Sequence, residues 1–136
     1  MAFSVQPLRR RFEREESGFT LIEILIVLVI VGILLAVAVP SYLGFKDRAK
    51  RGAAQANVRA AVPAVEAYYA DYGTYSTTAT APAPGLSTAS LTAIDAGIEV
   101  NVVSGSASTY CISNTQGVYT YYKNGPAADI TTAACT

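Results

Sequence analysis

The stretch Gly18-Phe19-Thr20-Leu21-Ile22-Glu23, continuing as ILIVLVIVGILLAVAVPSYLGF over residues 24–45, decides how the rest of the chain is read. No charged residue occurs in those 22 positions, and about 20 apolar residues in a helix suffice to cross the hydrocarbon core of a bilayer. Arg9, Arg10, Arg11 and Arg14 precede the run; the positive-inside bias then predicts a cytoplasmic N-terminus and a C-terminal part outside. Glu23 is the exception in this apolar setting. A charge at the centre of a spanning helix costs about 2.5–3.5 kcal/mol, so an intramembrane carboxylate is a functional candidate. Its place near the helix start lowers that cost, because free N–H groups and the helix dipole favour negative charge there. The alternative is a carboxylate resting at the interface.

Two simpler readings of the run compete. Ala36-Val37-Ala38 looks like the small-residue site of a secretory signal, but the run is long for one, Glu23 interrupts it, and Glu13, Glu15 and Glu16 dilute the basic region ahead of it. A plain single-pass anchor accounts for the length and not for Glu23.

Working outward, Lys46, Arg48, Lys50 and Arg51 form a second basic cluster, which in this orientation would sit outside, against the positive-inside trend. Ala54, Val58, Val62, Val65, Tyr69 and Tyr72 then recur at spacings of four, four, three, four and three, the pattern of one apolar helical face. Pro63 predicts a bend near Val62, and Gly73 a C-terminal stop. Thr74 to Ser90 is rich in Thr, Ser, Ala and Pro without an apolar period and reads as an exposed loop. O-linked sugar is conceivable there, although a plain linker accounts for the composition. Ile98, Val100 and Val102 alternate with Glu99 and Asn101, and Thr109 to Ser113 and Val118 to Lys123 are β-prone runs. Three or four antiparallel strands backed by the 54–72 face give an α+β head.

Composition excludes more than it selects. The 136 residues leave room for one small domain and one membrane segment, with zero formal net charge and no broad basic face for nucleic acid. Histidine is absent and there are two cysteines, which removes His-dependent triads and the usual zinc sites. Asp71, Asp95, Glu99 and Asp129 are scattered carboxylates, read as solvated charges. The nine tyrosines are read as packing groups in preference to an electron path.

Residues 18–23, with the apolar run carrying Gly32 and Pro40, resemble the class III signal of type IV prepilins. The resemblance is densest over 15–45 and architectural beyond Gly73. It implies cleavage between Gly18 and Phe19 by a prepilin peptidase, which also methylates the new Phe19 amine. Gly18 has no side chain to obstruct a protease. It further implies that Glu23 neutralises the Phe19 amine of a neighbouring subunit, so that two costly charges become one pair, and that helix melts or kinks between Gly32 and Pro40 on assembly. The expected division is a leader over 1–18, an apolar helix over 19–45, an amphipathic helix over 46–73, a loop over 74–97 and a ladle-shaped fold's sheet head over 98–136. Cys111 and Cys135 fall outside the membrane, where thiols oxidise, and relatives often carry a C-terminal bridge; two unpaired thiols are the alternative.

The expected role is a major pilin that polymerises with its own copies for adhesion, twitching or DNA uptake. It catalyses nothing and needs no cofactor. Its partners would be the prepilin peptidase/N-methyltransferase, an assembly platform with its motor, and the inner membrane before assembly. The rivals are a pseudopilin or minor pilin of a type II secretion or competence system, from which the absence of an acidic calcium loop leans away, and a membrane-anchored binding module that never polymerises. An extracellular enzyme lacks any constellation to support it.

Overall fold

The structure is a computed structural model and describes residues 18–78 and 80–136; the leader expected over 1–18 lies, apart from Gly18, outside the described residues. The elements in order are α1 (Leu21–Tyr72), α2 (Thr88–Ile94), β1 (Asn101–Gly105), β2 (Tyr110–Gln116), β3 (Tyr119–Asn124) and β4 (Ile130–Thr131). The chain divides into two compact units at Pro40 and Ser41.

In the first unit the described part is one helical run whose side chains are all exposed. It is rich in Ile and Val, which are modest helix formers in water. In lipid that handicap does not decide, because a helix satisfies every backbone N–H and C=O within the segment. Gly32 and Pro40 both lie inside this helix in the single chain.

The second unit holds the rest of α1, α2 and the sheet. α1 ends as expected: Gly73 has a φ of +68°, the left-handed geometry of a helix C-terminus, and its N–H donates to the Tyr69 carbonyl at 2.7 Å. Pro63 sits within the helix and is exposed; the Arg59 carbonyl that loses its donor is on the same solvent side.

The buried face of α1 is offset from the one expected. Ala54, Val58, Ala61, Ala64, Val65 and Tyr68 are buried, while Tyr69 and Tyr72 are 38% and 40% exposed and Val62 is half-buried. At about 100° per residue, Val62 and Tyr69 lie roughly 60–80° round the helix from Ala54, whereas Ala61, Ala64 and Tyr68 lie on its other side. The reading followed the largest apolar side chain at each turn. The fold instead puts alanines at the contact, where their small size lets the sheet approach.

The 74–97 loop also needs correction. Ser87 caps α2 by a reciprocal box, accepting from the Ser90 N–H at 3.1 Å while the Ser90 hydroxyl accepts from the Ser87 N–H at 2.9 Å. Leu86 and Leu91 are fully buried, and Tyr75 and Ala83 nearly so. The Tyr75 N–H donates to the Ser106 carbonyl and the Leu86 N–H to that of Ser76, so backbone bonds tie the segment down. Ser and Thr here serve as caps and turns, and two leucines anchor the stretch without a repeating period.

The four strands form one antiparallel sheet in the order β1-β2-β3-β4. Ile98 and Val100 are buried, but they precede β1; the 98–102 alternation therefore marks an approach segment and only the first residues of a strand. A register shift between Val102 and Ser104 further breaks its period. Val58, Ala61, Val65 and Tyr68 of α1 form one core with Tyr75, Leu86, Leu91, Ile98, Val100, Tyr110 and Ile112.

Candidate processing junction, assembly surface and head contacts

Backbone geometry at the start of α1 sets up the junction. Thr20 is the capping residue: its hydroxyl accepts from the Glu23 N–H at 3.3 Å, and its carbonyl accepts from the N–H groups of Glu23 and Ile24 at 3.1 and 3.3 Å. Glu23 thereby falls in the first turn, where the helix dipole favours its charge. Gly18 and Phe19 precede the helix, and both are exposed, Phe19 at 78%. Among the described residues nothing lies within 4 Å of where a Cβ on Gly18 would be. The Thr20-x-x-Glu23 spacing is a capping signature that the reading of the motif passed over.

The next basic residue along α1 after Glu23 is Lys46. Between them Leu25, Leu28, Ile33, Leu34 and Val37 are all more than half exposed. An apolar surface of this extent marks a membrane or protein contact, and α1 is long and apolar enough to cross a membrane.

In the head, Cys111 and Cys135 form the expected disulfide, 24 residues apart in sequence. Glu66, which lies off the apolar face expected from the 54–72 spacing, is half-buried and accepts hydrogen bonds from the Tyr75 hydroxyl at 2.8 Å and the Tyr110 hydroxyl at 3.5 Å. Burial, then the Glu66 carboxylate, pushes the Tyr75 hydroxyl up to about 12. The same two causes, burial first, push Tyr110 higher still. Burial also raises Tyr68, whose hydroxyl lies near the Gly85 backbone but makes no full hydrogen bond among the described residues. Tyr69 stacks on Tyr75 with centroids 4.3 Å apart, and Tyr75 meets Tyr110 at 4.9 Å, so these rings pack as a group.

Lys123 is buried, with its ammonium donating to the Pro126 and Ala128 carbonyls at 3.0 and 2.7 Å. It holds the chain inside the disulfide loop. The Arg51 guanidinium lies 4.4 Å from the centre of the Tyr119 ring. The contacts of Glu66 with Tyr110 and of Arg51 with Tyr119 join residues far apart in sequence, and no local pattern announces them; those of Lys123 stay within its own turn. Among the described residues, no three or more Cys, Asp or Glu side chains gather into a metal-binding group.

Residues 14–39 match the family model described as the prokaryotic N-terminal methylation motif. The chain is 36% identical over 99 residues to the type IV wide pilus major component PilA4 of Thermus thermophilus, covering 73% of this chain and 72% of that protein. It is 39% identical over 66 residues to the type IV major pilin protein PilA of Myxococcus xanthus, covering 48% of this chain and 30% of that protein. It is also 43% identical over 65 residues to the type II secretion system core protein G of Pseudomonas aeruginosa, covering 48% of this chain and 46% of that protein. The chain thus spans less than half the length of these last two relatives.

Proposed function

The chain belongs to the type IV pilin family, and from that premise we propose that it is the structural subunit of a surface pilus, polymerising through the apolar half of α1 after its leader is removed. One observation carries the proposal: an apolar helical surface exposed on every side, interrupted by a single carboxylate, Glu23, in its first turn. In the precursor, lipid covers that surface. In the filament, copies of the same helix would cover it.

Cleavage between Gly18 and Phe19 supplies what Glu23 lacks. It creates an amine at Phe19, four positions ahead, and it discards the arginines at 9, 10, 11 and 14. A helix cannot bring its own first residue's amine onto a side chain in its first turn and also shield both from lipid. The amine of one copy on the Glu23 of the next does shield both, and pairing in a low-dielectric core offsets part of the desolvation cost. Gly32 and Pro40, weak points of helix propensity, are where the helix would open as copies pack. Before assembly the subunit would reside in the inner membrane, with the head outside. Assembly would draw on a platform and motor, and the filament would serve adhesion, twitching or DNA uptake.

A second reading, a pseudopilin or minor pilin, is favoured by the identity to core protein G over the N-terminal half. The alignment with the pilus component of Thermus thermophilus runs over 99 residues and so extends beyond α1, which supports the pilus reading. N-terminal sequencing and intact mass of protein from the native cell surface test the processing step together. A start at Phe19 with an added methyl group is expected, whereas a start at Val39 means ordinary signal cleavage and removes the filament. Visible fibres containing the chain in abundance distinguish the major subunit from the minor one.

A further inference from the structure

Neither processing nor pairing at Glu23 uses the basic cluster that follows the apolar run. Lys46, Arg48 and Arg51 are exposed and Lys50 is half-buried, with Asp47 as the one acidic residue among them. At about 100° per residue Lys46 and Lys50 fall on one side of α1 and Arg48 and Arg51 roughly on the other, so the charge is spread around the helix as a collar and not confined to one stripe. A basic stripe suits a helix lying on a membrane; a collar suits a helix passing through a headgroup layer. From Lys46 to Arg51 the rise is roughly 8 Å, against about 5–8 Å of headgroup region per leaflet. The run over 24–45 rises roughly 33 Å, close to the ~30 Å hydrocarbon core, so a helix entering at Glu23 leaves at Lys46. Tyr42 and Phe45, 63% and 70% exposed, come just before the collar, where interfacial aromatics concentrate.

The turn joining β2 to β3 is held at the level of the collar. Gly117 there has a φ of +66°, and a Cβ on it would lie 3.0 Å from the Lys50 ammonium. Tyr119, two residues on, lies under Arg51. Between them Val118 is 85% exposed, an apolar side chain at the tip of a hairpin whose flanking residues meet Lys50 and Arg51.

We propose that the collar of Lys46, Arg48, Lys50 and Arg51, with the Val118 tip, is a docking surface for an anionic phospholipid leaflet. The cations engage lipid phosphates and Val118 enters the interface, setting the head at a fixed height above the bilayer. This rests on the reading that the apolar half of α1 spans the membrane. It gives the outward positive charge a partner, and entry into a filament then requires the collar to exchange lipid phosphate for solvent or for acidic groups of neighbouring copies.

The chain has no tryptophan, so Val118→Trp introduces a single indole at the tip. The full chain carrying it is reconstituted in vesicles of phosphatidylcholine alone and of phosphatidylcholine with phosphatidylglycerol. Quenching by lipids brominated near the headgroup should be stronger with phosphatidylglycerol, and should weaken at high salt and in the additional variant K46Q/R48Q. Enrichment of phosphatidylglycerol over phosphatidylcholine around the protein should fall roughly fivefold per cation removed. Equal quenching in the two lipids, or no change in the variant, overturns the proposal. Resistance to alkaline extraction reads the spanning helix separately: a chain that stays in the bilayer without lipid preference overturns the collar alone, and a chain that is extracted overturns the spanning reading with it.

Discussion

At the scale of single residues, Glu23 and Glu66 show how the same side chain takes opposite roles on one helix. Glu23 is in the first turn of α1 among exposed apolar side chains, and its proposed partner is the amine of another copy. Glu23→Ala is expected to leave membrane insertion intact and abolish fibres in electron micrographs; normal fibres would remove Glu23 from assembly. Glu66 is already partnered inside the head by Tyr75 and Tyr110. Glu66→Ala leaves two buried phenols short of an acceptor, a loss of about 1–3 kcal/mol measurable by chemical denaturation.

The same pair of phenols sets an alkaline limit. Tyr75 is raised to about 12 in the fold, against about 10 in an unfolded chain. A raised pKa means that the fold favours the neutral phenol, so the contribution is whole below pH ~10 and is lost as pH rises through about 12. Absorbance at 295 nm should show a late phase, from Tyr75 and Tyr110, that comes only as the head unfolds. Glu66→Gln should bring that late phase to lower pH; an unchanged late phase would mean burial alone sets it.

At the scale of elements, the disulfide and the α2 cap are separable contributions to one small head. Joining Cys111 to Cys135 closes a loop of about 25 residues, worth roughly 3.5 kcal/mol in the chain-entropy account. Cys135→Ser should lower head stability by about that amount in denaturant, with Lys123 still donating to the Pro126 and Ala128 carbonyls. Ser87→Ala should cost about 1 kcal/mol by removing the cap of α2. The loop assigned to 74–97 hid that helix because Ser87 and Ser90 are loop-like by composition and act as a box only when the chain turns at Ser87. The strands were legible as β-prone runs at Thr109 to Ser113 and Val118 to Lys123, whereas the alternation at Ile98, Val100 and Val102 misplaced the start of β1, because buried residues alternate outside strands too.

For the whole molecule, the two compact units answer to different surroundings. The head has its own core of α1, α2 and sheet residues, whereas the helix before Ser41 has every described side chain exposed and depends on lipid or on other copies. If it opens between Gly32 and Pro40 on packing, amides 32–40 should exchange faster with deuterium in filaments than in detergent-held subunits. Equal protection in both would keep the helix intact throughout assembly.

Local chemistry by itself determined the apolar run, the Gly18–Glu23 motif, the end of α1 at Gly73 and the α+β class, since each depends on neighbours in sequence or on a short period. The tertiary structure decided which face of α1 is buried, that alanines share the contact with Val58, Val65 and Tyr68, that Glu66 serves two tyrosines 9 and 44 residues away, and that Arg51 is engaged by the Tyr119 ring. Those choices depend on how closely two elements approach and in what register, and burial energy is settled only when both surfaces meet.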